Sequence, residues 1–234
     1  MARFLAWLFT AASLAIVVGF AFISLGLVTV PPGYNPWRPL DVRDEPNLLT
    51  RFKLARLERD RQECAAVLAQ TDIAHTPVPD QTMGEGCGFE GAVRVARSRV
   101  SFGSDFVATC PLAVAWALFE THGLQPAARR RFGQEVTRVV HFGSYACRNV
   151  NHREMGRRSE HATANALDIA GFVLADGARI TLAGDWDGSA ARAAFLRDLR
   201  AEACRFFDVV LGPDFNEAHR DHFHLDMGRF RTCR

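Results

Sequence analysis

Residues 219–227 read HRDHFHLDM. Imidazoles at His219, His222 and His224 alternate with carboxylates and with the apolar Phe223 and Leu225. In an extended strand, residues two apart point to one face. His222, His224 and Asp226 would therefore share a face, and Phe223, Leu225 and Met227 would take the opposite, core-facing one. Two imidazoles on a rigid strand can be presented into one cleft, which is half of a metal site. His219 lies just before them, at the entrance to the strand. A solvated polar loop is the plain alternative, so the metal reading requires a second half elsewhere in the chain.

SEHATANALDIAGF, residues 159–172, supplies that half. His161 is followed by Asp168, which sits inside the apolar run Ala166-Leu167-Asp168-Ile169-Ala170. A carboxylate in such a run is costly to bury unless it is paired or bound to a metal. His161, Asp168 and His224 would give three ligands with a fourth position open, the arrangement used by catalytic zinc. His122 and His141 have no partner motif and are expected to be structural or surface residues.

The elements that must position these residues can be read from periodicity. Apolar positions at helical spacing predict a helix over 48–70. Alternation at 92–96 and 99–102 predicts short strands. An apolar helix is expected from Pro111 to His122, with proline in its first turn and Gly123 just after, and a second helix from about Pro126 to Thr137. From Val139 the pattern changes to strands: 139–142, 164–174, 207–211 and 222–227, with an amphipathic helix over 188–206. The loop Asp185-Trp186-Asp187-Gly188 is open to two readings, a substrate-facing loop or a packing tryptophan. The expected class is α+β, a helical N-terminal part packed on a mostly antiparallel sheet.

The N-terminus is of another kind. No charge lies between Arg3 and Arg38, and Leu5 to Val30 is almost wholly apolar. That run exceeds the roughly 7–15 residues of a cleavable signal core and is long enough to span a bilayer. Residues 1–30 are expected to be a signal anchor forming one transmembrane helix, and the Pro-rich 31–47 a linker to a domain over 48–234. With Arg3 on the short side, the bulk of the chain is expected outside the cytoplasm.

The composition of the whole 234-residue chain is globular, with 48% hydrophobic and 23% charged residues. A net charge of +2 gives no electrostatic case for a nucleic-acid partner. Six cysteines, Cys64, Cys87, Cys110, Cys147, Cys204 and Cys233, suit disulfides in an oxidising compartment. Six cysteines allow 15 pairings. Loop closure alone favours chain-order neighbours: 64–87, 110–147 and 204–233. The spacings do not match a zinc–thiolate site.

S-E-H-A-T-A-N-A-L-D (159–168) with H-F-H (222–224) resembles the zinc peptidases of the lysostaphin, D-alanyl-D-alanine peptidase and sonic hedgehog group. More closely, GSYACRNVN, SEHATANALDIAGF, VLGPDFNEAHRDHFHLDM and the terminal Cys233-Arg234 resemble the bacterial extensin-like C-terminal domain family over roughly residues 50–234. The resemblance implies zinc held by His161, Asp168 and His224, with His222 as general base or transition-state stabiliser. It also implies a substrate-orienting role for Arg148, a further active-site histidine at His219, and support of the His161 loop by Ser159. Ala164 departs from the wider group, which usually has glycine there. Arg148 as a surface residue beside Cys147, and His219 as a turn cap, are the plain alternatives.

The chemistry fits such roles: a neutral imidazole can take a proton and a guanidinium can stabilise an oxyanion. The expected function is a zinc-dependent peptidoglycan peptidase, an endopeptidase on cross-link peptides, single-pass in the inner membrane with its domain in the periplasm. The alternatives are a D-Ala-D-Ala-type carboxypeptidase, and a zinc-containing cell-wall binding module that does not cut. A periplasmic metal-binding protein is a further reading, against which the widely spaced, mixed His/Asp set argues.

Overall fold

The computed structural model describes residues 2–234. Met1, the first residue of the expected anchor, lies outside the described residues. Helix α1 (Ala2–Ser24) carries the apolar run, and its Arg3–Ile23 stretch has a mean hydropathy of 2.2 with no part buried against the rest of the chain. By length and composition it can cross a membrane.

Two short helices follow, α2 (Thr50–Leu57) and α3 (Arg61–Leu68). A single helix over 48–70 is therefore not formed. Asp60 is extended (φ −124°) and its carboxylate accepts from the Glu63 amide, so the chain caps a new helix instead of continuing the old one. Strands β1 (Ala74–Pro77), β2 (Gln81–Thr82), β3 (Gly88–Phe89), β4 (Ala92–Arg97) and β5 (Ser101–Thr109) come next. Helix α4 (Cys110–Phe119) is buried along its whole length. It passes through a π-helical turn into α5 (Gln125–Phe132). That helix stops short of the expected Thr137 because Gly133 caps it with a left-handed φ of +68°.

The second half contains β6 (Val136–Gly143), β7 (Ala166–Leu174), β8 (Arg179–Thr181), α6 (Leu182–Asp185), α7 (Ala190–Ala203), β9 (Val209–Leu211), β10 (Phe223–Asp226) and β11 (Thr232–Cys233). Nine strands form one sheet in the order β1-β4-β5-β6-β7-β10-β9-β11, with β8 beside the far half of β7. Most pairs are antiparallel, and β5–β6 and β9–β11 are parallel. The class is thus mixed α and β with a large sheet. Helix α7 covers β7 through Phe195, whose ring lies 5.7 Å from Phe172. Trp186 is packing: it is buried, its indole donates to Asp214 at 2.8 Å, and its ring meets Phe223.

Residues 31–47 are not a free linker. Leu40 and Val42 are buried in the main core, the Val42 carbonyl pairs with His122 Nε2 at 2.7 Å, and Lys53 reaches the Pro32 and Gly33 carbonyls. The prolines that read as a tether open this strap with a 3-10 turn (Pro32–Tyr34), and its two apolar residues drop into the core.

All six cysteines are paired, as Cys64–Cys110, Cys87–Cys147 and Cys204–Cys233. Only the last is a chain-order neighbour pair. Chain-order pairing fails because α3 packs against α4, which puts Cys64 beside Cys110. The β2–β3 hairpin reaches over to residue 147 in the same way. Each doubling of loop length costs only about 0.6 kcal/mol, too little to outweigh such packing.

Candidate metal centre

Strands β7 and β10 pair in antiparallel register, Phe223 opposite Ile169, His224 opposite Asp168, Leu225 opposite Leu167 and Asp226 opposite Ala166. Directly opposed residues share a face of the sheet. Asp168 and His224 therefore meet on one face while Phe223 and Leu225 enter the core. The alternation expected in 222–227 holds from Phe223, where the strand begins, and His222 stands just before it.

His161 arrives from a 3-10 turn, Glu160–Thr163, that Ser159 caps by accepting from the His161 amide at 3.4 Å. The turn closes on Ala164, which is fully buried at a left-handed φ of +54°, the conformation for which glycine would be the ordinary choice. Backbone bonds then lace this turn to the 144–148 segment: Ala146 N to His161 O and Ser159 N to Arg148 O, both 3.0 Å. The Thr109 amide donates to the Ala164 carbonyl at 2.9 Å. The Cys87–Cys147 disulfide pins the same segment one residue from Arg148.

The three buried side chains converge. His161 Nε2 lies 3.1 Å from an Asp168 oxygen and 3.1 Å from His224 Nδ1, and His224 Nδ1 lies 3.0 Å from the other Asp168 oxygen. One potential ligand atom from each falls within 4.8 Å of the others. The outward-facing ring nitrogens are committed elsewhere. His161 Nδ1–H donates to the Ser144 carbonyl at 2.5 Å, and His224 Nε2–H donates to Asp226 at 2.8 Å. Such partners fix the tautomer of a metal-ligating histidine. Two imidazole nitrogens and a carboxylate then face one point and could hold a metal ion.

In the absence of a metal the same arrangement favours a proton on His224. Burial opposes it, but hydrogen bonds to Asp168 and Asp226 outweigh burial and raise the His224 pKa to about 9. Burial likewise pushes the Asp168 carboxyl up, and hydrogen bonds from His161 and His224 hold it well below the usual carboxylate range. The residues therefore fit a divalent cation that exchanges with a proton.

Around this cluster stand the other expected residues. His222 donates from Nδ1 to Asp221 at 2.8 Å, leaving Nε2 3.7 Å from Asp168. Arg148 Nη2 is 4.0 Å from Asp168. His219 donates from Nδ1 to Asn216 at 2.7 Å, and burial, then the nearby His224 and His222, lower its pKa to about 4. His219, Arg148 and His224 line one cleft of about 450 Å³. Strand parity places Asp226 on the same face as His224 but attaches no role to it. Asp221 and Asn216, which orient His222 and His219, carry no sequence signal of their own.

The model of the family described as Extensin-like protein C-terminus matches residues 62–234. No curated protein and no solved structure matches the chain.

Proposed function

We propose a zinc-dependent peptidase function, acting on peptidoglycan peptides, for this chain, which belongs to the extensin-like protein C-terminus family. One observation carries the reading. His161 and His224 have their outer nitrogens tied to acceptors, so both inner nitrogens face Asp168 at 3.0–3.1 Å. A buried site built to turn lone pairs toward one point is suited to zinc, through His161, Asp168 and His224.

Bound there, zinc would lower the pKa of a water to about 7 and supply hydroxide near neutral pH. The chain's own residues do the rest. His222, whose Nδ1 bonds Asp221, presents Nε2 3.7 Å from Asp168 as the group that would accept a proton. Arg148, a quarter exposed, offers a guanidinium to the carbonyl oxygen as charge builds on it. His219 stays neutral and presents Nε2 as an acceptor beside the same cleft.

The substrate class is supported by the resemblance of the His161–Asp168 and His222–His224 motifs to murein peptidases. It is also supported by an N-terminal helix apolar enough to anchor the chain in a membrane, with three disulfides beyond it. The same features support anchoring with the domain in the periplasm. The test is to incubate the full-length chain in detergent with purified murein, with and without chelator, and to analyse the released peptides by mass. Chelator-sensitive, zinc-restored release of peptides cut within a stem or cross-link is the expected result. No release from zinc-loaded protein would leave the cell-wall binding reading in its place.

A further inference from the structure

Next to the cleft at the metal-ligand cluster lies a larger one, of about 880 Å³, for which the chemistry above has no use. It is walled by the β2–β3 hairpin, the start of α3, the 157–165 segment and residues 227–230. The two clefts share Arg157, Glu160 and Phe230. The Arg157 guanidinium lies over the Phe230 ring at 4.6 Å, and both side chains are exposed. This exposed, stacked pair therefore lines both clefts.

The larger cleft carries charges of both signs. Arg61 pairs with Asp80 and Glu90, and Arg158 pairs with Glu85, so these arginines are committed. Arg229, Arg157 and Glu58 have no salt bridge or side-chain hydrogen bond among the described residues. Glu160 accepts one hydrogen bond, from Asn165 at 3.0 Å, and keeps its other oxygen. Free guanidinium and free carboxylate groups in the lining of one cleft complement a ligand that itself carries carboxylate and ammonium groups.

We propose that the two clefts form one groove continuous past the shared Arg157–Phe230 pair, which takes an amphoteric peptide with two arms. The smaller cleft takes the segment at the reacting bond, and the larger takes the second arm of a cross-link. This rests on the peptidase reading and deepens it. A terminal residue being trimmed from a single stem needs only the smaller cleft, whereas a groove with a second lobe selects a cross-linked substrate.

The experiment compares a defined cross-linked stem-peptide dimer with the single stem, using full-length zinc-loaded protein in detergent. Arg229→Glu and Glu58→Gln alter exposed side chains in the larger lobe, away from the ligand cluster. Each should raise the KM for the dimer relative to that for the single stem by about tenfold, with kcat little changed. An unchanged KM ratio, with the wild type cutting both substrates, overturns the single groove and leaves the peptidase reading standing. If the wild type cuts neither, titration calorimetry with the dimer decides. Dimer binding weakened by Arg229→Glu keeps the groove and removes the peptidase, and binding that is absent or indifferent to both variants removes the groove as well.

Discussion

His224 stands directly across the β7–β10 ladder from Asp168, its Nδ1 3.0 Å from the carboxylate, while its Nε2 is bonded to Asp226 two residues along its own strand. One imidazole is thus clamped between two carboxylates, one across the sheet and one beside it. The first expected outcome concerns that clamp. Asp168→Ala and His224→Ala should each abolish stoichiometric zinc binding, because two ligands are too few for a structural or catalytic site. Metal analysis of the purified variants measures it, and full zinc in either one removes these residues from the ligand set.

Asp226→Asn should separate orientation from ligation. The amide keeps the shape of the side chain but loses the charge that holds the Nε2–H tautomer of His224. Loss of such a partner typically costs 10–100-fold in metal affinity, roughly the drop expected here with the fold retained. Wild-type affinity in this variant would make Asp226 a strand-end cap for Gly228, whose amide it also accepts at 2.8 Å.

Metal binding should be strongly pH-dependent. A proton of pKa about 9 on His224 occupies the place a metal would take. Apparent zinc affinity should therefore rise roughly tenfold per pH unit between about 6 and 8 and level off near 9, with proton release on binding. Metal-free stability should move the other way. A pKa raised above the ordinary 6.5 contributes stability that is fully present below 6.5 and is lost as pH rises through 9. The lowered pKa of Asp168 contributes above its ordinary 3.8 and is lost on acidification. Asp226, His161, His219, His222 and Arg148 surround the same site, so the measurement is of the whole cluster. Calorimetric melting of metal-free protein should show a decline from pH 6.5 to 9 that zinc suppresses, and a flat profile would count against the protonated His224.

Local periodicity made much of this site legible. The H-x-H-x-D alternation and the lone carboxylate in ALDIA are consequences of strand parity, which needs only neighbours in sequence. The register placing His224 opposite Asp168 is a contact 56 residues apart, and nothing in either segment encodes it. The same limit applies to Cys64 and Cys110, which meet because two helices pack. It also applies to Leu40 and Val42, whose burial depends on a surface made by α2 and α4. Proline and polar content in 31–47 looks alike in a tether and in a packed strap.

The disulfide pattern has its own check. Peptide mapping without reduction should yield the Cys64–Cys110, Cys87–Cys147 and Cys204–Cys233 pairs, and labelling of denatured, unreduced protein should find no free thiol. Removing the buried Cys64–Cys110 pair by double alanine substitution should lower stability by about 2–5 kcal/mol. A peptide linking Cys64 to Cys87 would contradict the packing of α3 on α4.

The last expected outcome separates cutting from binding. His222 lies 3.7 Å from Asp168 through Nε2 but belongs to no converging ligand set, and Asp221 holds its other nitrogen. A structural or ligand role predicts loss of zinc or fold when it is removed. A general base predicts that His222→Ala keeps both and loses roughly 10²–10⁴-fold in kcat, the usual contribution of a positioned acid–base group. Arg148→Ala should also keep zinc and lose activity, by about 2–4 kcal/mol in the barrier if its guanidinium faces the oxyanion. Single-turnover release of murein peptides, with zinc content and circular dichroism measured on the same samples, reads all three quantities together. If His222→Ala cuts as well as the wild type, the base is another group. His219 is then the first to test, because its neutral ring already lines the cleft with Nε2 free of its Asn216 bond.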